Sequence, residues 1–444
     1  MTISRTVCLG FLALILIGTL LLMMPFSTGD GSWNSPLVAL FTATSAVCVT
    51  GLAVVNTGTD FSFWGQLTIL LLIQLGGLGY MMITTFLMLL LGRKFDLRQK
   101  FAIQESFDRP FLQGSNRLVT SIIATTLIFE ITGIFLLLRV FAKEYGFAEG
   151  LWISIFHSIS AWNNAGFSLF SDSMVGYKSS WLINLVIPGL VIFGGIGYQV
   201  IIEFYLWLRT IFVRKRGRFS FSLNFKVVVS TTIFLLLLGT VAFFFTEFTN
   251  PNTLGGLGWQ DKFLTAWFQS MTTRTAGFNS IDLGQMTTAG LFITMGFMFI
   301  GASPSGTGGG IKTTTFRVLL NCTKSALEGK DKVILYQREV PSTLILKAIA
   351  VVFGTAASIV LVTTLLALSE PNIDFIRLLF EVISAFATVG VSTGITASLT
   401  TASKVILVGA MYIGRVSVLL LIAAIIGDSK PTSINYPEEN LLVG

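Results

Sequence analysis

Trp267-Phe268-Gln269-Ser270-Met271-Thr272-Thr273-Arg274-Thr275-Ala276-Gly277-Phe278-Asn279 is a half-apolar run that ends in a small polar turn. It is too short to cross a bilayer, which takes about 20 apolar residues in a helix. It lies between two apolar segments that are long enough. The chain contains the pattern four times. Phe41 leads by ten positions to Gly51, Phe156 to Gly166, Trp267 to Gly277 and Phe380 to Gly390. A serine follows the aromatic by four positions in three copies, at Ser45, Ser160 and Ser384, and Met271 takes that place in the other. The four glycines are 115, 111 and 113 residues apart in chain order. A period that long and regular is a fourfold internal repeat, with units over residues 1–108, 109–222, 223–338 and 339–444.

Hydrophobic residues make up 53% of the 444 and charged residues 11%, against about 25% charged in soluble domains. Apolar runs at 7–24, 67–91, 182–208, 227–245 and 345–368 are long enough to span a hydrocarbon core. The first follows Arg5 as a secretory signal would. It is long, however, lacks an A-x-A site and precedes seven more spans, so it reads as a retained helix. Cys8, Cys48 and Cys322 are scattered and give neither a disulfide framework nor metal spacing. The net charge of +7 points away from nucleic acid once its placement is read.

Each unit reads as a span, a short segment and a second span. The spans are 7–24 and 64–91, then 119–140 and 181–208, then 227–245 and an interrupted sixth, then 344–368 and 405–426. Basic residues gather after the second span of a unit: Arg93, Lys94, Arg98, Lys100, Arg109 and Arg117; Arg209, Arg214, Lys215, Arg216, Arg218 and Lys226; Lys324, Lys330, Lys332, Arg338 and Lys347. The opposite loops carry Asp30, Asp60, Glu144, Glu149, Asp172, Glu247, Asp261, Glu370 and Asp374. The positive-inside bias puts the basic clusters and both termini in the cytoplasm. The acids either concentrate cations at the outer mouth or are ordinary solvated loop charges. Two spans per unit give every unit the same orientation, hence parallel repeats about an axis along the membrane normal. The expected fold is an all-α polytopic membrane protein. Four helix–pore-loop–helix repeats, with eight transmembrane helices and four re-entrant pore helices, surround one central pore.

A short segment that dips in and returns can hold one short helix and an extended return. Irregular backbone at membrane depth is tolerated only where protein buries it or water reaches it. Four returns meeting at an axis would line it with carbonyls, which replace the water shell of an alkali cation. Glycine serves where those carbonyls must turn. The expected ring is Val49, Thr50 and Gly51; Asn164, Ala165 and Gly166; Thr275, Ala276 and Gly277; and Thr388, Val389 and Gly390. The alternative, a glycine that merely turns a surface loop, fits one copy but not four in register.

On these residues the chain resembles the Trk/Ktr/HKT superfamily of potassium transporters, and within it the membrane subunit of the Ktr branch. The match is carried by Thr44-Ser45-Ala46-Val47-Cys48-Val49-Thr50-Gly51-Leu52, by Thr272-Thr273-Arg274-Thr275-Ala276-Gly277-Phe278-Asn279, and by Ala302-Ser303-Pro304-Ser305-Gly306-Thr307-Gly308-Gly309-Gly310-Ile311-Lys312-Thr313. It covers essentially the whole chain. The resemblance implies one filter glycine per unit, and a glycine in all four goes with K⁺ preference. It also implies a homodimer in the cytoplasmic membrane, in contact with lipids and docked on a cytosolic ring of nucleotide-binding regulatory subunits. The basic loops and the tail 431–444 are the expected contact. Na⁺ activation is common in that branch, and no residue here identifies its site.

The third stretch is not a Walker A loop, because Ile311 stands where that motif needs glycine before Lys312. Its four glycines and proline must interrupt span six. The resemblance makes Gly301 through Gly310 a gate, with Lys312 at its edge. Milder breaks are expected at Gly76-Gly77, Gly194-Gly195 and Gly414, which with Gly301 lie 25, 28, 24 and 24 residues after the filter glycines. Arg415, at mid-span, costs about 2.5–3.5 kcal/mol to insert and is expected to face a cavity. In the family a matching arginine is an electrostatic barrier. A purely structural reading has it bond carbonyls freed by the broken span. Arg274 reads as a brace behind the filter against an acid such as Glu381, and His157, the only histidine, as packing.

The function read from all this is K⁺ uptake through a channel-like pore driven by membrane potential, with K⁺ as substrate and no covalent cofactor. A secondary carrier for another cation or a small solute would need ionisable residues at mid-span. Glu130, with Glu203 nearer a span end, keeps that reading open. An intramembrane enzyme would need H-E-x-x-H, a Ser/His pair or paired aspartates, and none is evident.

Overall fold

The computed structural model of the protein describes residues 3–79, 115–213 and 219–427. The far half of the second span, the basic residues 93–109 and 214–218, the Arg117 side chain and the tail 431–444 lie outside the described residues.

One order of elements occurs four times. The first helices are Ile3–Met23, Ser115–Tyr145, Leu223–Glu247 and Ser342–Ser369. The short helices are Pro36–Val47, Phe147–Trp162, Trp259–Thr272 and Phe375–Phe386, and the second helices begin with Phe63–Leu78, Trp181–Gly195, Thr288–Phe299 and Thr401–Val416. By length and composition the four first helices can each cross a membrane. Two second helices reach that length with the segment beyond their bend: Tyr198–Phe212 follows Trp181–Gly195 at 104°, and Val418–Ile426 follows Thr401–Val416 at 89°. The sequence spacing points to the start of each second helix. Ser62, Ser180, Thr287 and Thr400 cap them, their hydroxyls accepting from the amides of Gly65, Ile183, Gly290 and Ser403 at 3.2, 3.5, 3.0 and 3.3 Å. Such caps are typically worth about 1 kcal/mol each.

The breaks expected at Gly76, Gly194 and Gly414 fall three residues later. The chain turns at Gly79, Gly197 and Ser417, with φ of 79°, 94° and 78°. The earlier glycines are inside the helices and serve close approach instead. A Cβ on Gly76, Gly194 or Gly414 would overlap the carbonyl oxygen of Val47, Trp162 or Phe386, the last residue of the short helix of the same unit. Each second helix also packs on the short helix of the next unit: Phe63–Leu78 on Phe147–Trp162, Trp181–Gly195 on Trp259–Thr272, Thr288–Phe299 on Phe375–Phe386. Thr401–Val416 packs on Pro36–Val47, and that contact closes the circle.

Trp33, Trp64, Trp181 and Trp259 are exposed near the ends where short or second helices begin, as in an interfacial aromatic belt. At the opposite end Arg5 donates to the Ala424 carbonyl at 2.7 Å, so the first and last described helices meet on one side. The linker into the fourth unit forms the hairpin of Ile334–Leu335 with Arg338–Glu339. Part of the third basic cluster is paired there, Lys330 with Glu328 at 2.6 Å and Lys332 with Glu339 at 2.9 Å. Exposed pairs of this kind contribute about 0–1 kcal/mol.

The glycine contacts generate a comparison within one helix. Gly414→Ala pushes a methyl into the Phe386 carbonyl and is expected to cost about 1–3 kcal/mol, as overpacking does. Gly409→Ala, where nothing lies within 4 Å, should be neutral or gain up to about 1 kcal/mol in helix propensity. Thermal unfolding of the two variants in detergent measures the difference.

Candidate functional site

The four returns share one backbone pattern. The glycines Gly51, Gly166, Gly277 and Gly390 have φ of 94°, 69°, 78° and 89°. Two residues before each, Val49, Asn164, Thr275 and Thr388 are also left-handed, at 52°, 56°, 61° and 51°. The spacing called for glycine at the first set and gave no sign of the second. Left-handed backbone costs an ordinary residue roughly 1–2 kcal/mol, and such strain persists only where the surroundings over-determine it. Four copies in register are a built feature.

The intervening residues Thr50, Ala165, Ala276 and Val389 supply a closed ring of carbonyls. A Cβ on Gly51 would stand 2.5 Å from the Ala165 oxygen, one on Gly166 2.9 Å from that of Ala276, and one on Gly277 3.0 Å from that of Val389. A Cβ on Gly390 would overlap the Thr50 oxygen. Each glycine therefore abuts the carbonyl one residue before the glycine of the next unit, and the fourth returns to the first. Glycine is needed here twice over, for φ and for space.

The short helices hold the ring by their C-terminal ends. The amides of Thr50, Ala165, Ala276 and Val389 donate back to the carbonyls of Ser45, Ser160, Thr272 and Ser384 at 2.8, 2.8, 3.0 and 2.8 Å. Hydroxyls add a second tie. Ser45 accepts from the Gly51 amide at 3.1 Å, and Ser160 and Ser384 donate to the carbonyls of Phe167 and Val391 at 2.8 and 2.6 Å. In the third unit that tie is made by Thr272 to the Phe278 carbonyl. Phe268 there is fully buried like Phe41, Phe156 and Phe380, whereas Trp267 is only half-buried. The aromatic and hydroxyl of the third copy are therefore Phe268 and Thr272, not Trp267 and Met271, and that copy is one residue shorter before its glycine. Counting back from Gly277 hid the shift.

Residues 301–313 form a loop directly beneath the ring. Its ends pair through Gly301 donating to the Ile311 carbonyl at 2.8 Å and Ala302 to that of Gly309 at 3.1 Å. Ser303 and Thr307 donate to the carbonyls of Gly195 and Gly194 at 2.9 and 3.1 Å, and Ser305 accepts from the Tyr198 amide at 3.2 Å. Pro304 lies against Gly197, and Gly306 against the Gly195 carbonyl. At the top of the loop, Thr307 donates to Asn164 Oδ1 at 3.0 Å, and the Gly309 amide to Thr388 Oγ1 at 3.2 Å. Gly308 is so close to Thr275 that a Cβ would overlap its hydroxyl. The loop thus meets the side chains of three of the four left-handed residues. Gly310 has φ of 70°, and Lys312 Nζ donates to the Gly308 carbonyl at 2.9 Å.

Arg415 comes to the loop from the fourth unit. Its guanidinium donates to the Thr307 carbonyl and, from Nη2, to the carbonyls of Gly76 and Gly77 in the first unit, the last at 3.4 Å. It therefore ties the loop to a second helix on the far side of the ring.

Other sequence expectations need correction. Arg274 is buried but does not meet Glu381; it donates to the Gly301 carbonyl at 3.2 Å. Glu381 instead accepts from Ser392, from the Thr393 amide at 3.1 Å and from Thr396 at 3.1 Å. Two outer acids are not solvated loop charges. Glu247 is buried and accepts from the Thr287 amide and hydroxyl at 3.1 and 2.6 Å, and Glu370 accepts from the Thr400 amide at 2.6 Å. Both hold helix caps, because a carboxylate out of water needs donors. Glu130 is buried with Asn163 Nδ2 at 3.4 Å, and that amide also reaches Gln74 at 2.8 Å. Glu203 accepts from the Ser222 amide and hydroxyl at 3.1 and 2.7 Å. His157 is fully buried and stacked on Phe170 at 4.9 Å, in keeping with packing, and its Nε2 also lies 3.0 Å from Ser168 Oγ. Among the described residues no group of three or more His, Cys, Asp and Glu is placed to hold a metal ion.

A family model described as TrkH, cation transport protein, matches residues 4–431. The chain is 38% identical to the Ktr system potassium uptake protein B of Bacillus subtilis, over 100% of this chain and 97% of that one. It is 39% identical to the protein of the same description from Vibrio alginolyticus, over 99% and 94%. It is 35% identical to the potassium/sodium uptake protein NtpJ of Enterococcus hirae, over 99% and 97%. Its fold is similar to the crystal structure of the potassium transporter TrkH from Vibrio parahaemolyticus, with a TM-score of 0.70 at 18% identity, covering 94% of this chain and 84% of that one.

The register shift in the third unit has a testable consequence. Thr272→Val keeps the side-chain shape, leaves the Phe278 carbonyl without its hydroxyl donor, and is expected to cost about 1–3 kcal/mol. Thr273→Val removes a hydroxyl that only bonds back to the Ser270 carbonyl at 2.8 Å and should cost less. Thermal midpoints of the two variants check the order.

Proposed function

This chain belongs to the TrkH family of cation transport proteins, and from that premise we propose that it takes up potassium ions across the cytoplasmic membrane through a channel-like pore. The observation that carries the reading is the closed ring, in which every filter glycine abuts the carbonyl of the next unit. Carbonyls in such a ring substitute for the hydration shell of an alkali cation. All four short helices end at the ring, so their C-terminal partial charges, roughly −0.5 each, favour a cation there. The relatives described as potassium uptake proteins support K⁺ as the substrate, and the glycine in all four units supports its preference over Na⁺. The description of one relative as a potassium/sodium uptake protein keeps Na⁺ as a second ion or an activator within the proposal.

The loop 301–313 is the gate in this reading. It lies under the ring, is held by Arg415, and must lose the Thr307–Asn164 and Gly309–Thr388 contacts for an ion to pass. Arg415 would add a positive charge on the same path when the loop is in place. Uptake is driven by membrane potential, at about 2.3 kcal/mol per charge for 100 mV. The termini are cytoplasmic, the pore units follow the sequence boundaries given above, and the protein is a homodimer. It works as one part of a system, as the relatives' description as Ktr system proteins supports, with a nucleotide-binding ring on the basic cytoplasmic loops. The carrier alternative rested on Glu130, which is engaged with Asn163 inside the bundle.

Rubidium tracer tests the proposal in cells stripped of their own potassium uptake. The chain should restore saturable uptake, and Gly51→Ala or Gly390→Ala should lower it at least about tenfold, the scale of 1.4 kcal/mol. Unimpaired uptake by both variants would remove the ring from the ion path. Arg415→Ala, which frees the loop from the first unit, should raise uptake.

A further inference from the structure

We infer that His157 and Glu381 are positioning residues that fix the outer rim of the ring on two opposite sides and thereby set its discrimination between K⁺ and Na⁺. The inference deepens the potassium-uptake reading and rests on it. The two residues occupy one register position, each following the buried aromatic of its short helix, Phe156 and Phe380. Their partners also match, Ser168 and Ser392, each two residues beyond the filter glycine.

The serine is bonded in the same way in both units, while Glu381 also accepts from the Thr393 amide and from Thr396. His157 Nδ1 lies 2.8 Å from the Ile153 carbonyl, so it carries the proton, and Nε2 accepts from Ser168 Oγ at 3.0 Å. Ser168 Oγ in turn accepts from the Phe170 amide at 3.0 Å. Glu381 accepts from Ser392 Oγ, which in turn accepts from the Gly394 amide at 2.9 Å. A serine that donates to the short helix and accepts from the backbone two residues further on locks the chain just past the glycine. The histidine and the carboxylate are both fully buried, so these bonds form in a low-dielectric interior, where they are stronger than in water.

The other two units lack the brace. In the third unit, with Phe268 as the aromatic, the position holds Gln269, whose buried amide oxygen and nitrogen have no hydrogen-bond partner, and the residue two beyond the glycine is Asn279, whose Oδ1 has none either. In the first unit the residues are Thr42 and Ala53. The units pack in the order one, two, three, four around the ring, so the braced units face each other across the axis. A ring clamped on two opposite sides resists the contraction that a smaller ion asks for. A ring with those clamps removed can close around Na⁺.

The test measures Rb⁺ and Na⁺ uptake, each against the wild-type chain, together with thermal midpoints in detergent. His157→Phe keeps the stack on Phe170 and loses the bond to Ser168, and Glu381→Ala removes the other brace. Ser168→Ala and Ser392→Ala cut the same bonds from the far end, so a short-helix variant that fails to fold does not end the test. Gln269→Leu occupies the same register where no bond exists. The expected result is a fall of roughly fivefold in the Rb⁺-to-Na⁺ ratio in the brace variants, the scale of one lost hydrogen bond, with the ratio of Gln269→Leu unchanged. Brace variants that keep the wild-type ratio while still carrying Rb⁺ overturn the positioning role and leave the transport reading standing. An equal fall in Gln269→Leu overturns it too, as general loosening. A wild-type chain that takes up no Rb⁺ overturns the transport reading, and the inference with it.

Discussion

Peptide groups at membrane depth must find partners, because lipid supplies none. Four segments of this chain leave the helical state there, and almost everything else in the fold is arranged around satisfying them. Each return is tied back to its own short helix by an amide one residue before its glycine and by a hydroxyl. Each glycine lets the neighbouring carbonyl come in where a side chain would block it. The carbonyls not used in these ties remain as the ring. The same demand that makes irregular backbone costly thus produces a surface of oxygens suited to a desolvated cation.

The second helices answer to a related constraint. Gly76, Gly194 and Gly414 let the last carbonyl of a short helix press against the helix behind it, and that helix ends about one turn later at a left-handed residue, Gly79, Gly197 or Ser417. Ser417 adopts without glycine the backbone that Gly79 and Gly197 adopt with it. Two residues before it, Arg415 bonds the loop and the first unit, so a strained bend and a half-buried cation stand close together where the four units are tied through the loop. Strain of this kind collects at sites whose arrangement has two states, which accords with the proposed gate.

The pseudo-fourfold pattern is broken in ways that carry meaning. Among the described residues the second helices of the second and fourth units continue beyond a bend, while that of the third unit ends in a loop under the ring. Two opposite units brace the residue beyond the glycine with a histidine or a carboxylate. The acids Glu247 and Glu370, in adjacent units, cap second helices instead of facing solvent. A repeat fixes the frame, and substitutions at equivalent positions then specialise single sides of it without disturbing the packing that the repeat maintains.

Much of this was legible in the linear chain. Period, apolar length and basic loops imposed the fourfold membrane architecture, since hydrophobic length and glycine spacing act locally along the sequence. The twelve candidate ring residues and the loop 301–313 with Arg415 are likewise picked out by spacing and resemblance; in the fold the four glycines abut the carbonyls of Thr50, Ala165, Ala276 and Val389, and the loop bonds Asn164, Thr388 and Arg415. What tertiary contact decided lies in which residues meet in space, within a unit as well as between units. The left-handed turn at Val49, Asn164, Thr275 and Thr388 has no residue signature, because packing rather than propensity holds it. The one-residue shift to Phe268 and Thr272 became visible only from burial and a hydroxyl bond. Arg274 turned to the Gly301 carbonyl rather than to Glu381, because a buried charge takes the donors and acceptors nearest in space, and sequence distance does not record them.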